Sequence, residues 1–161
     1  MCTQPPLLAQ LVKRIEDTAS AKFLLLDIKP GNFVFFAARL KLVDFGCACT
    51  LPESGILTRA GPFEGTLDYM APEALQERDA SVCLGTDVWG LGCTFHRIVT
   101  GALPFPPAEA RNLDAQRRAV AGSPALHDPG ALLGGCGPEV MHMLGDCLRA
   151  APHARPTVQA L

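Results

Sequence analysis

A chain of 161 residues with 48% hydrophobic and 19% charged side chains has the apolar material for one folded domain and too much of it for a disordered tail. Its formal net charge of −2 and sequence pI near 6.0 lack the concentrated basic surface that nucleic acid or an anionic membrane rewards, so neither is expected as a partner. The seven cysteines, Cys2, Cys47, Cys49, Cys83, Cys93, Cys136 and Cys147, are odd in number and never form a C-x-x-C pair. Free thiols in a reducing compartment are expected rather than a disulfide framework or a zinc site, the C-x-C at Cys47 and Cys49 having no second ligand pair nearby. No apolar stretch approaches a membrane span and the N-terminus does not read as a signal peptide, which predicts a cytoplasmic or nuclear location.

Along the chain, Leu7, Leu8, Leu11, Val12 and Ile15 recur at helical spacing, with Lys13, Arg14, Glu16 and Asp17 on the other side, predicting an amphipathic helix over residues 7–17. A short apolar run over residues 23–26 follows. Asp27-Ile28-Lys29-Pro30-Gly31-Asn32 then reads as a loop, because its Pro and Gly break both helix and strand. Residues 33–36 and 40–43 are β-prone runs around a short connection, and the hairpin they predict delivers Asp44-Phe45-Gly46 at its end. Residues 47–69, rich in Gly, Pro, Thr and Glu without periodicity, predict a long ordered loop, a kind that is usually functional. A short helix is expected after Ala71-Pro72-Glu73, and a buried central helix over residues 87–100, which are apolar nearly all round and stop at Gly101. Further helices are expected over residues 108–121 and 139–149, with the start of a last one over 158–161.

The order of these pieces resembles the C-terminal lobe of eukaryotic-type protein kinases of the serine/threonine class. D-I-K-P-G-N at residues 27–32 is similar to the catalytic loop of that family, and Asp44-Phe45-Gly46 to its D-F-G motif. Gly65-Thr66 with Tyr69-Met70-Ala71-Pro72-Glu73 resembles the end of the activation segment, Asp87-Val88-Trp89-Gly90-Leu91-Gly92 the start of the central helix, and Arg155-Pro156 the partner of the A-P-E glutamate. Singly, most of these have an ordinary reading: Trp89 as plain core, Glu73 as a solvated carboxylate, Arg155 as a surface charge. Their shared order makes coincidence negligible.

The resemblance implies a mainly α fold with a small β-hairpin, one partial kinase domain over residues 1–161, and MgATP as phosphoryl donor to Ser or Thr hydroxyls of a protein substrate. It implies Asp27 as the residue that orients the attacking hydroxyl, Lys29 as the neutraliser of phosphoryl charge, and Asn32 and Asp44 as Mg²⁺ ligands. Phe45 is expected in the core, Gly46 at the turn, and Thr66 against Asp27 and Lys29. Glu73, Asp87, Trp89 and Arg155 are implied as structural supports, with Glu73 paired to Arg155.

Two departures bear on activity. Nothing before Asp27 reads as a Gly-rich loop, a strand lysine or its glutamate partner, so the N-terminal lobe, or a partner covering its face, is expected to come from elsewhere, and the chain alone is expected to be inactive. Leu25-Leu26 stand where the family has His-Arg. Leu26 cannot pair with a phosphorylated activation loop, and Pro62 and Phe63 lie near the place where the phosphosite is usual. A non-catalytic docking or regulatory module is the competing expectation, because an uncovered apolar face needs a partner.

Overall fold

In the computed structural model, residues 7–37, 39–105 and 138–161 are described. The helix expected over residues 108–121, and Cys2 and Cys136, lie outside them. Helix α1 (Leu7–Ser20) buries Leu11, Ile15 and Ala19, four residues apart on one face, and pairs Lys13 with Glu16 and Asp17 at 3.0 and 3.1 Å on the other. The helix runs past Asp17, where the charged stretch alone suggested a stop, because Ala19 continues the apolar stripe into the core.

Strand β1 (Phe23–Leu24) pairs antiparallel with β4 (Cys49–Thr50), β2 (Phe33–Phe36) with β3 (Arg39–Leu42), and β5 (Leu57–Arg59) with β6 (Ala80–Val82). The expected single hairpin is therefore the middle one of three two-stranded ladders, and the fold is mixed α/β rather than mainly α. The loop over residues 47–69 contributes one strand to each outer ladder; its composition hid them because each is only two or three residues long and pairs with a distant segment. After Ala71 the chain makes a single turn, Ala74 N–H donating to Ala71 O at 3.0 Å, in place of the expected short helix.

Helix α2 (Leu84–Thr100) is the axis of the molecule: every residue from Thr86 to His96 is buried. Such a helix is stable only inside a protein, as its uniform apolarity predicted. Its start is closed by Cys83 N–H donating to Thr86 Oγ1 at 3.1 Å, and its end by Gly101 N–H donating to Arg97 O at 3.0 Å. Around it, α1, β3 and helix α3 (Pro138–Cys147) enclose one core containing Leu11, Ile15, Leu40, Leu91, Phe95 and Leu144. A second cluster, with Leu24, Phe63, Leu75 and Val82, lies beneath the outer ladders. In the third, Trp89 stacks on Phe105 with ring centroids 5.1 Å apart. The segment expected to begin a last helix is a 3₁₀ turn, Val158–Ala160, packed on α1.

Helices α2 and α3 meet at Gly92, where a Cβ would lie 2.9 Å from Cys147 Cβ and 3.2 Å from Leu148 Cδ2. Alanine raises helix propensity by about 1 kcal/mol over glycine, but overpacking a core contact costs about 1–3 kcal/mol. Gly92→Ala is therefore expected to lower stability, whereas Gly31→Ala, with nothing within 4 Å of the new Cβ, should stay within about 0.5 kcal/mol of the parent in chemical denaturation.

Candidate active site

The loop after β1 is fixed from below before it carries any chemistry. Asp87, in the first turn of α2, accepts Leu25 N–H on Oδ2 and Leu26 N–H on Oδ1, both at 2.9 Å. Leu26 has φ 61, a left-handed conformation that costs a leucine on the order of 1–3 kcal/mol and persists because this clamp and its packing impose it. Deeper in α2, Thr94 Oγ1 donates to Ile28 O at 3.1 Å, so the helix grips both sides of Asp27.

Above this support, four side chains from two loops converge. Lys29 Nζ donates to Asp27 Oδ2 at 2.7 Å and to Thr66 Oγ1 at 2.8 Å, while Thr66 N–H donates to Asp27 Oδ1 at 2.9 Å. Asn32 Nδ2 donates to Asp27 O at 2.9 Å and more weakly to Asp27 Oδ2 at 3.3 Å. Burial opposes ionisation of Asp27, but the bonds from Lys29 and Thr66 outweigh it and hold the carboxyl below its ordinary range. The group is thus an anion with its lone pairs directed.

Asn32 is buried, and both its bonds are made through the amide nitrogen, which leaves Oδ1 as an oxygen ligand. Val43 N–H donates to Asn32 O at 2.8 Å at the open end of the β2–β3 hairpin, so Asp44 emerges next to Asn32. Asp44 also has a left-handed backbone, φ 62, and its Oδ1 accepts Gly46 N–H at 3.1 Å. That turn directs Phe45 outward at 56% exposure, correcting the expectation that it packs in the core. Gly46 sits at the turn as expected. Beside it, burial first, and then the carboxylates of Asp27, Glu64 and Asp44, push the Cys47 thiol up, so it stays protonated in a field of converging negative charge.

Glu73 and Arg155 pair in a bidentate bridge, Nη1 to Oε1 at 2.6 Å and Nη2 to Oε2 at 2.9 Å, with the arginine side chain fully buried. The remaining guanidinium donors reach Arg149 O at 2.7 Å, Gly85 O at 2.8 Å and Ala150 O at 3.0 Å, and its plane lies 4.9 Å over the Trp89 ring. Thr86 Oγ1 donates to Glu73 Oε1 at 2.8 Å, completing the site.

Most of the residues singled out from the sequence fall into two groups, Asp27, Lys29, Asn32 and Thr66 with Asp44 alongside, and Glu73, Trp89 and Arg155, with Asp87 of α2 holding the loop of the first. Phe45 and Gly46 lie at the turn after Asp44. Sequence reading missed Thr86 and Thr94. Their signal was available, as hydroxyls inside an otherwise apolar, buried helix must find acceptors. Among the described residues, no group of three or more His, Cys, Asp or Glu side chains could hold a metal by itself, so an ion at Asn32 and Asp44 would draw its other ligands from water and phosphate. Among the described residues no helix is long and apolar enough to cross a membrane.

Breaking the pair from one side strands a buried guanidinium, so Glu73→Ala is expected to cost about 3–5 kcal/mol in chemical denaturation, and a change near zero would refute the coupling. Asp87 gives a pH signature. Burial, only partly opposed by the Leu25 and Leu26 amides, pushes its carboxyl up to about 6 from an ordinary 3.8. Between those values the folded state keeps a proton that the unfolded chain releases, so its contribution is present below the lower value and is lost as pH rises through the upper one. Unfolding free energy should fall across that window by on the order of 3 kcal/mol, and Asp87→Asn should remove this slope even if it lowers stability throughout.

The family model of the protein kinase domain matches residues 5–161. The serine/threonine-protein kinase mph1 of Schizosaccharomyces pombe is 28% identical over 173 residues, covering 94% of this chain and 26% of that protein. Human 3-phosphoinositide-dependent protein kinase 1 is 34% identical over 98 residues, covering 60% of the chain and 17% of that protein. Mitogen-activated protein kinase kinase 1c of Physcomitrium patens is 29% identical over 160 residues, covering 95% and 44%. The chain thus spans less than half the length of these relatives. With a family match over nearly its whole length, the chain belongs to the protein kinase family, with serine/threonine kinases among its relatives.

Proposed function

We propose that this chain carries the phosphoryl-transfer residues of a serine/threonine protein kinase, corresponding to the C-terminal lobe of the domain, and that it acts on Ser or Thr hydroxyls of protein substrates with MgATP as donor. The observation that carries the reading is the closed triangle of Asp27, Lys29 and Thr66, with edges of 2.7, 2.8 and 2.9 Å drawn from two separate loops. A structural ion pair would need only two of these groups. Three, with the carboxylate held ionised, suit a site that must position a hydroxyl against a transferring phosphoryl group.

In this reading Asp27 orients the substrate hydroxyl and takes its proton, while Asn32 holds the Asp27 backbone and leaves an oxygen outward. Lys29 brings positive charge to the transferred group, and Thr66 walls the pocket on the substrate side. The donor set of Asn32 Oδ1 and the Asp44 carboxylate consists of hard oxygen ligands that fit Mg²⁺. Bound there, magnesium would neutralise charge on the phosphates. Glu73, Asp87, Trp89 and Arg155 act as supports.

A second reading is favoured by one observation. The hairpin leaves Val34 41%, Phe35 64% and Phe36 64% exposed, and Phe45, beyond its open end, is 56% exposed. Such a surface suits coverage by an upper lobe or by a partner chain, and a docking or regulatory module would use it without catalysis. The chain by itself is then expected to show little or no turnover.

The deciding experiment is phosphoryl transfer from MgATP to Ser/Thr peptides by the longest form of the protein. Asp27→Asn should reduce the rate by about 10²–10⁴-fold with the fold intact. Equal rates for the two, or no transfer by either, would leave the docking module as the correct reading.

A further inference from the structure

The segment that presents Thr66 has to be held against Asp27, and the means by which this chain holds it is apolar. Leu26 packs against the cluster that contains buried Phe63, Leu24, Leu51, Met70, Leu75 and Val82, and Leu57 joins from β5. Leu26, Leu57 and Phe63, with Cys49, also line a cleft of about 270 Å³ beside this cluster. Polar ties finish the seating. Phe63 N–H donates to Ala74 O at 3.1 Å, Thr58 and Ser81 share a hydroxyl hydrogen bond of 2.8 Å across the β5–β6 ladder, and Arg59 lies 5.3 Å over the Phe63 ring. Next along the chain, Gly65 approaches the Leu26 carbonyl so closely that a Cβ would lie 3.0 Å from that oxygen, and the following residue is Thr66.

We propose that Leu26 and Phe63 are positioning residues: together they form an apolar clasp that seats Thr66 on Asp27 and Lys29 with no phosphate group required. The inference rests on the reading of Asp27, Lys29 and Thr66 as the transfer site. Neither member of the clasp carries a group that can be charged, so the seating is built into the fold. Leu26 serves twice, its N–H held by Asp87 while its side chain enters the cluster under the 57–66 segment. This second role explains why a leucine tolerates φ 61 at a place where asparagine or glycine would fit the backbone better.

The clasp can be tested by amide hydrogen exchange on the purified chain, without nucleotide, so the outcome does not depend on whether the chain transfers phosphate. Leu26→Asn relaxes the left-handed backbone while removing the apolar side chain, and Phe63→Ser removes the other half. Both are expected to speed exchange at Phe63 and Thr66 by about tenfold or more, leaving Leu91 and Phe95 in α2 unchanged, and Phe63→Leu should restore protection. Treatment of the parent chain with a non-specific phosphatase should leave Thr66 protection as it was. Unchanged protection in Leu26→Asn, acceleration spread equally into α2, or loss of protection after phosphatase would each overturn the proposal. Should Phe63→Ser fail to fold, Leu26→Asn alone decides. If the exchange results hold while no phosphoryl transfer is found, the clasp stands and only the catalytic reading falls.

Discussion

Two backbone amides donating into one buried carboxylate fix the geometry on which the candidate site depends. Asp87 holds Leu25 and Leu26 from the first turn of a helix whose residues 86–96 are all buried. A carboxylate in such a place resists ionisation, and its two amide bonds only partly compensate, so the position is expensive to maintain. What it secures is the direction of the chain at Leu26, and with it the orientation of Asp27 one residue later. A clamp through the backbone does this without using any side chain the site needs.

Helix α2 repeats the device along its length. Thr86 braces Glu73, the Gly85 carbonyl receives Arg155, and Thr94 holds Ile28 O. The catalytic-type loop, Glu73 and Arg155 are thus each tied by a polar bond to one buried element, which allows loops to hold side chains with the precision of regular structure. The Glu73–Arg155 pair fits the same logic. It has every guanidinium donor occupied, and its worth lies in fixing the chain after Ala71 to the C-terminal residues, since an equally packed apolar pair could match it in stability alone.

Much of this was legible in the sequence, for reasons that can be stated residue by residue. Helix α2 announced itself by apolarity without a polar face, α1 by spacing, and the hairpin by two β-prone runs with a turn between them. The candidate site residues could be singled out because they stand in the order and spacing that the protein kinase family's motifs have. What stayed hidden depends on long-range pairing: β5 and β6 are three residues each and some twenty residues apart, so no local pattern marks them. Phe45 was misplaced because a motif describes residues, whereas the outward direction of this one follows from the left-handed Asp44 before it. Thr86 and Thr94 showed in the sequence only as hydroxyls in or beside an apolar helix that must find acceptors, while which acceptors they reach, Glu73 and Ile28 O, depends on long-range packing.

The hairpin shows how a two-residue period divides labour between stability and function. Phe33 and Leu42 are cross-strand partners packed against the core, as is Leu40, while Val34, Lys41, Phe36 and Arg39 alternate with them on the outer face. On that outer face Lys41 Nζ lies 4.4 Å over the Phe36 ring, a contact that costs little to rearrange in water. The inner face anchors the hairpin through Phe33, Leu40 and Leu42, although Phe35, which shares that face by register, is 64% exposed, and the outer face can meet another surface without disturbing those contacts. Asp44 and Phe45 leave the hairpin exposed at its open end, next to Asn32. An element laid over the open end of the hairpin would bury the Phe45 ring and, in the same step, limit the access of water to Asn32 and Asp44. Electrostatic interactions there would strengthen as the local dielectric fell. Burial of apolar surface and strengthening of the neighbouring charges would then be coupled, because Phe45 follows Asp44 directly.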